Sequence, residues 1–120
     1  MKLETELIRG AGPVAVLKLL ERRAMYGYEM IETLSKRSIG VLAMGESTLY
    51  PMLYNLEAKG LIAPSWKQEE GRERKYYALT AKGRRRLAED LAQWRSLVKA
   101  LGALGVVSKA PNAASAGGIA

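Results

Sequence analysis

Two segments of the chain carry the side chains best suited to recognising another molecule by hydrogen bonds and charge. The first runs from 46 to 60 and supplies hydroxyl and amide groups through Ser47, Thr48, Tyr50, Tyr54 and Asn55. The second follows Gly71 and places three cations close together: Arg72, Arg74 and Lys75. Hydroxyls and amides can bond base edges or phosphate oxygens, and arginine and lysine attract phosphates. The two segments together predict a surface that binds a polyanion.

The distribution of charge supports the same interpretation. The chain carries a net charge of +7 over 120 residues. Residues 59–86 hold nine lysines and arginines against three glutamates, which is almost the whole excess. A basic segment of this kind is expected of a nucleic-acid binder. The alternative is a protein-interaction module whose basic face binds an acidic partner, and a steep, salt-dependent preference for one DNA sequence would separate the two.

Composition argues against several other classes of protein. The chain has no histidine and no cysteine, so it lacks the commonest zinc ligands and the most frequent general base. No paired acids suggest a carboxylate mechanism, and we expect neither an enzyme nor a metal or cofactor site. No apolar run approaches the length of a membrane span, and the N-terminus lacks a signal-peptide pattern. These features, with the missing cysteine, predict a cytoplasmic protein.

Helical periodicity predicts two helices before the polar segment. The first covers about 3–22, and Gly10, Gly12 and Pro13 predict a kink or break near its middle. The second covers about 27–37, with Tyr28, Ile31 and Leu34 forming its buried stripe.

The polar segment itself reads as a third helix over about 46–59. Its core face follows from the helical spacing of Leu49, Met52, Leu53 and Leu56, so the polar groups lie on the opposite face. Gly60 stands where a helix C-terminal cap belongs. Strands over about 63–68 and 73–79, joined by a loop around 70–72, then form a basic hairpin.

A long fourth helix over about 81–104 follows, with Thr80 as its N-cap. Its apolar residues step by four and three, as in a coiled-coil seam: Leu87, Leu91, Trp94, Val98 and Leu101, widened by Leu97 and Leu104. Because the first three helices and the strands already supply a core, this seam predicts a homodimer. Folding back onto its own domain is the alternative.

These elements predict an α+β fold, namely a winged helix-turn-helix with a two-stranded wing and a long C-terminal dimerisation helix. The expected divisions are a DNA-binding domain over 1–80, the dimerisation helix over 81–107 and a disordered tail over 108–120. Helix 3 would enter the major groove through Ser47, Thr48, Tyr50, Tyr54 and Asn55. Lys36, Lys59, Arg72, Arg74 and Lys75 would bind phosphates.

Three motifs in order carry a family resemblance. They are Tyr26-Gly27-Tyr28-Glu29, then Ser47-Thr48-Leu49-Tyr50-Pro51 with Leu56-Glu57-Ala58-Lys59-Gly60-Leu61-Ile62, then Gly71-Arg72-Glu73-Arg74-Lys75-Tyr76-Tyr77-Ala78-Leu79-Thr80-Ala81-Lys82-Gly83. From about Leu7 to Leu104 the chain resembles the PadR family of transcriptional regulators. The single helix after the hairpin is similar to the short subfamily, which dimerises through that helix.

The resemblance implies a homodimer on an inverted-repeat operator, usually a repressor and often released by a small molecule. Some short members bind flat aromatic compounds between the two C-terminal helices, stacked on a tryptophan, and Trp94 resembles that residue in position. Plain packing of Trp94 is the alternative. One departure is Glu73, where members of the family commonly place proline.

Overall fold

A computed structural model of the protein describes residue 1 and residues 3–108. Its elements are α1 (Thr5–Leu20), β1 (Met25–Tyr26), α2 (Gly27–Arg37), α3 (Glu46–Ala58), β2 (Ile62–Glu69), β3 (Arg72–Leu79) and α4 (Ala81–Ala103). The strands form one antiparallel sheet in the order β1-β3-β2. Internal contacts divide the chain after Ala88 into an N-terminal unit and a C-terminal unit. The expected tail from 109 onward lies outside the described residues.

Helix α1 runs without interruption through Pro13, so the predicted break is wrong. Proline removes one backbone hydrogen bond from a helix interior. The second half of α1 is nevertheless held in place by its buried side chains, because Val16, Leu17 and Leu20 are at most 2% exposed. Burial of this apolar surface keeps the helix continuous.

Helix α2 begins and ends as predicted, but its inward face differs. Met30 and Leu34 are buried, whereas Tyr28 is 56% exposed, so its predicted place in the buried stripe is wrong. Gly27 supplies the inward surface at the start of the helix, and Tyr28, one position further around, points outward.

The polar segment forms α3 with the predicted core of Leu49, Met52, Leu53 and Leu56.

A serine side chain adds to the backbone hydrogen bonds that hold the connection between α2 and α3. The Ser38 hydroxyl donates to the Leu34 carbonyl at 2.6 Å and accepts from the Leu42 amide at 2.8 Å. Ile39 and Gly40 have φ values of 53° and 82°, which reverse the chain between the helices.

The predicted C-terminal cap of α3 at Gly60 is confirmed: its φ is 75°, and the Leu61 amide donates to the Leu56 carbonyl at 3.0 Å.

Strands β2 and β3 form a hairpin from the pair Ile62 and Leu79 to the pair Glu69 and Arg72. The intervening Glu70 and Gly71 have φ values of 52° and 78°, as a two-residue hairpin turn requires. Strand β1 adds a third strand that the sequence did not predict, since two residues are too few to show alternation. It pairs Met25 with Tyr77 and Tyr26 with Tyr76.

The first turn of α4 is fastened to the turn after α3. Thr80 caps the helix as predicted, accepting the Gly83 amide at 2.9 Å, and its hydroxyl also lies 2.7 Å from the Gly60 carbonyl oxygen. The Lys82 ammonium donates to the Lys59 carbonyl at 2.8 Å. Gly83 lies so close to the Leu61 carbonyl that a Cβ at this position would overlap it. Residues 59–61 and 80–83 therefore form one tightly packed joint.

The described part of the C-terminal unit consists of the rest of α4 and the turn that follows. The Val106 amide bonds the Leu101 carbonyl at 2.8 Å, and Gly105 has a φ of 83°. Leu97, Val98 and Leu104 expose 46%, 50% and 78% of their surface. This unit therefore exposes apolar side chains on α4 and on the turn that follows it.

Candidate nucleic-acid interface

Helix α3 presents its polar groups away from the core, as the sequence predicts. Ser47 and Asn55 are exposed, and Tyr54 is 61% exposed. Thr48 and Tyr50 are partly buried beside neighbouring elements. The face therefore offers hydroxyl and amide groups that can reach base edges in a major groove.

Helix α1 borders this face on one side. A shallow groove between the two helices is lined by Thr5, Arg9 and Pro13 from α1 and by Ser47, Thr48 and Asn55 among the residues of α3. Arg9 is exposed, so α1 adds a cation next to the polar groups of α3. This contribution could not be predicted from the sequence, because nothing in the spacing of α1 indicates which helix it contacts.

A second depression of about 440 Å³ lies on the side of the wing. Its lining comes from three separate parts of the chain: Tyr26, Gly27, Tyr28, Tyr50, Arg72, Arg74 and Lys75. We call it the tyrosine pocket. The Tyr50 hydroxyl lies directly against Gly27, where a Cβ would have no room. Burial, followed by the charge of Glu46, raises the pKa of Tyr50 above its ordinary value.

Tyrosine hydroxyls and three cations around one concave surface favour an anion. Hydroxyl groups can donate to phosphate oxygens, and arginine and lysine supply the attraction. The structure thus brings predicted residues from α3 and from the wing to one place. Tyr26, Gly27 and Tyr28 were missed as site residues, although the Tyr-Gly-Tyr sequence, with glycine between two aromatics, is a signal for close packing at the glycine.

Arg74 is positioned by an aromatic ring and by two carboxylates. Its guanidinium carbon lies 4.6 Å from the centre of the Tyr26 ring, a cation–π distance. Its nitrogens lie 3.7 Å from Glu69 and 3.9 Å from Glu70. Glu69 also accepts a 2.8 Å hydrogen bond from the Tyr76 hydroxyl, which raises the pKa of Tyr76. Arg74 is therefore held in place rather than left to move freely in solvent.

Lys75 is also held by neighbouring side chains. Its ammonium lies 3.6 Å from the Glu57 carboxylate of α3 and 5.2 Å from the centre of the Tyr77 ring. Burial lowers the pKa of Lys75, but the Tyr77 hydroxyl and Glu57 outweigh this effect and raise the pKa above the usual lysine value. Lys75 thus carries a full positive charge next to the pocket.

The remaining predicted phosphate contacts are distributed differently. Arg72 is exposed at the hairpin turn and lines the tyrosine pocket. Lys36 and Lys59 are exposed but do not line it. The Lys59 carbonyl meanwhile accepts from Lys82 in the joint with α4.

The C-terminal unit carries a separate, apolar groove of about 660 Å³. Leu91, Trp94 and Val98 line it, together with the cations Arg95 and Lys99. Leu97 and Leu104 are exposed outside it. Leu87 is 1% exposed within the N-terminal unit, so its surface is already used by the core of its own chain and its predicted place in the dimer seam is wrong. Leu91 and Trp94 are half-buried.

Neither a metal centre nor a membrane helix is found in the part of the chain that the structure describes. Over residue 1 and residues 3–108, no three acidic, histidine or cysteine side chains are grouped to hold a metal ion. Within the same residues no helix is long and apolar enough to cross a bilayer.

Comparison with known proteins gives a consistent result. The model of the transcriptional regulator PadR-like family matches residues 16–89. The chain is 33% identical over 85 residues to the transcriptional regulator Rv3488 of Mycobacterium tuberculosis, covering 71% of this chain and 77% of that protein.

Solved structures are similar as well. A PadR family regulator from Eggerthella lenta is 37% identical, with a TM-score of 0.73 and coverage of 82% of this chain and 85% of the other. A transcriptional regulator from Clostridium thermocellum is 27% identical, with a TM-score of 0.77 and coverage of 82% and 97%.

Proposed function

The chain belongs to the PadR-like family of transcriptional regulators, and on this basis we propose that it is a homodimeric repressor that binds an inverted-repeat operator. Members of the family are DNA-binding regulators and not enzymes. Binding of DNA and regulation of transcription follow from membership of the family. The operator symmetry, the sign of regulation, the dimer and any effector are the proposal.

The observation that carries the proposal is the tyrosine pocket next to the outer face of α3. A DNA strand that crosses the pocket would place a phosphate among Arg72, Arg74 and Lys75, close to the Tyr50 hydroxyl. Ser47, Thr48, Tyr54 and Asn55 would then face base edges in the adjacent major groove. Phosphate contacts fix the register of the helix, and base contacts supply the sequence preference.

Further contacts extend the proposed surface on both sides. Lys36 and Lys59 would bind phosphates from the exposed ends of α2 and α3. Arg9, beside Ser47 and Asn55, would add a phosphate contact from α1. Tyr28, exposed at the rim of the tyrosine pocket, would add a hydroxyl donor.

Dimerisation through α4 accounts for its exposed apolar face. We assign the seam to Leu91, Trp94, Leu97, Val98, Leu101 and Leu104. Leaving such a face in water is unfavourable, and a second copy of the same helix can cover it. A twofold dimer presents its two α3 helices symmetrically, so it selects an inverted repeat with half-sites about one helical turn apart.

The groove at Trp94 suggests how binding would be regulated. Its apolar walls and indole ring suit a flat aromatic compound, with Arg95 and Lys99 available for an acidic substituent. A ligand that prefers one spacing of the two α4 helices would shift the dimer away from the form that binds DNA. We place this regulation in the cytoplasm, where the chromosome is accessible.

The first experiment is binding of the full chain to the DNA upstream of its own gene, with scrambled duplex as competitor, across a salt series. We expect selective binding by a dimer, with affinity falling steeply as salt rises. Weak binding that is equal on every sequence would reject this DNA as the operator. Equal or tighter salt-sensitive binding to an acidic protein would instead favour the protein-interaction module.

A further inference from the structure

Two of the three cations of the tyrosine pocket are already paired with carboxylates of the same chain. Lys75 lies 3.6 Å from Glu57, and Arg74 lies 3.7 Å from Glu69. Arg72, in contrast, makes no ion pair among the described residues. A phosphate that enters the pocket therefore competes with carboxylates for two of its three cations.

Of these carboxylates, Glu57 is the best placed to compete with a DNA phosphate for its cation. Glu57 is on α3, whereas Lys75 is on β3, so their ion pair connects α3 to the wing. The side chains of Glu57 and Lys75 are only 33% and 29% exposed, and salt screens such a partly buried pair less than an exposed one. The Tyr77 ring, 5.2 Å from the Lys75 ammonium, limits where the lysine can move.

We propose that Glu57 is a specificity-determining residue that holds Lys75 away from DNA phosphates and so weakens sequence-independent binding. The proposal rests on the function given above, in which the wing contacts the DNA backbone. A loosely bound, non-matching duplex has no base contacts to compensate for breaking the Glu57–Lys75 pair. A matching duplex brings α3 fully into the groove, and the contacts made there offset that cost.

The proposal predicts a specific effect of Glu57→Gln, which keeps the shape of the side chain and removes its charge. On a short duplex of scrambled sequence, this variant should bind about three- to tenfold more tightly near 0.1 M salt, with a steeper salt dependence, as one additional phosphate contact implies. Glu73→Gln is the matched control. Glu73 is exposed two residues from Lys75 on the same face of β3, and it makes no ion pair within the described residues.

A double-mutant cycle with Lys75→Met identifies the mechanism. If Glu57 acts by holding Lys75, then Glu57→Gln should have no effect on binding in the Lys75→Met background. An equal effect in both backgrounds, or an equal effect of Glu73→Gln, would mean simple charge repulsion and would overturn the proposal. Thermal unfolding of each variant checks that the fold is retained.

The same cycle separates this proposal from the proposed function. If Lys75→Met weakens binding while Glu57→Gln leaves it unchanged, the wing contacts DNA but Glu57 does not compete, and only the inference fails. If neither substitution changes affinity or salt dependence, Lys75 does not contact DNA, and both the inference and that part of the interface are rejected.

Discussion

The hydroxyl of Tyr50 on α3 lies against the backbone of Gly27 at the start of α2, with no space between them for a side chain. A Cβ at position 27 would stand 2.7 Å from the ring carbon that carries the hydroxyl. This contact joins the two helices of the helix-turn-helix at the point where the tyrosine pocket forms. The absence of a side chain at Gly27 therefore sets the position of a proposed DNA contact.

Gly27→Ala should accordingly displace Tyr50 and weaken DNA binding. Because the added methyl overlaps a partly buried ring, we expect a loss of about 1–3 kcal/mol in the free energy of unfolding. Denaturant unfolding and DNA titration measure the two effects. Gly10→Ala is the control, since Gly10 is exposed in α1 with nothing within 4 Å of the new Cβ. Wild-type DNA affinity in Gly27→Ala would show that the position of Tyr50 does not matter.

The cations of the wing provide a second prediction. Replacing Arg74 and Lys75 together with methionine should weaken binding to the matching operator most, because both residues are proposed to bind phosphates there. On other sequences the loss should be smaller and come from Arg74, since Glu57 is proposed to hold Lys75 away from them. The slope of log affinity against log salt should become shallower by about 0.9 for each phosphate that is no longer neutralised. Lys18→Met serves as a control, since Lys18 is on α1 and pairs with Glu21 at 2.7 Å. An unchanged slope in the double variant would remove the wing from the interface.

The proposed dimerisation through α4 predicts a strong effect at Val98. Val98→Glu would bury an unpaired charge at the seam, and the dimer dissociation constant should rise on the order of 100-fold, equivalent to about 3 kcal/mol. Sedimentation or light scattering measures the change. Ser96→Glu introduces the same charge two residues away, on the other side of the helix, and should leave the dimer intact. Equal dimerisation of the two variants would place the interface elsewhere.

Binding of an aromatic compound at Trp94 predicts quenching of tryptophan fluorescence. The chain has two tryptophans, and Trp66 is 60% exposed on the wing strand β2. Candidate aromatic ligands should quench the wild-type protein but not Trp94→Ala, in which Trp66 is retained. If quenching is the same in both proteins, the signal comes from Trp66 and the groove is not the ligand site.

The joint between α3 and α4 gives a prediction for stability. At Gly83 a Cβ would overlap the Leu61 carbonyl and lie 2.8 Å from a Leu79 methyl. Since the backbone carbonyl of Leu61 cannot turn aside, Gly83→Ala should lower the free energy of unfolding by about 3 kcal/mol. Thermal or denaturant unfolding measures this effect. Stability within about 0.5 kcal/mol of wild type would mean that the joint adjusts easily.

The sequence predicted the elements well where apolar residues recur at regular helical spacing over a long segment. The spacing of Leu49, Met52, Leu53 and Leu56 determined α3 and hence which of its groups are exposed. Short or mixed patterns were less informative. The two residues of β1 are too few to show a period. At the start of α2 the spacing predicts Tyr28 as the buried residue, whereas Gly27 supplies the buried surface.

The residues of the candidate site could be singled out one by one from the sequence, but the way they come together could not. Tyr50 and the cations of the wing were recognised from their chemistry alone. The tyrosine pocket, however, forms only where residues 26–28, 50 and 72–75 come together in the fold. No local sequence pattern indicates that they do. The pairing of Glu57 with Lys75 is hidden for the same reason, because eighteen positions separate the two residues in the sequence and only the packing of β3 beside α3 joins them.

The joint of residues 59–61 with 80–83 has a consequence for how such a protein can diverge. All of its contacts are made before Ala88, by backbone groups and by Thr80, Lys82 and Gly83. Residues of α4 beyond that point can therefore be exchanged without disturbing the end of α3. Natural selection can then alter the proposed effector groove or the proposed dimer seam while the polar face of α3 stays intact. A single anchoring turn thus allows one DNA-binding unit to acquire new input signals.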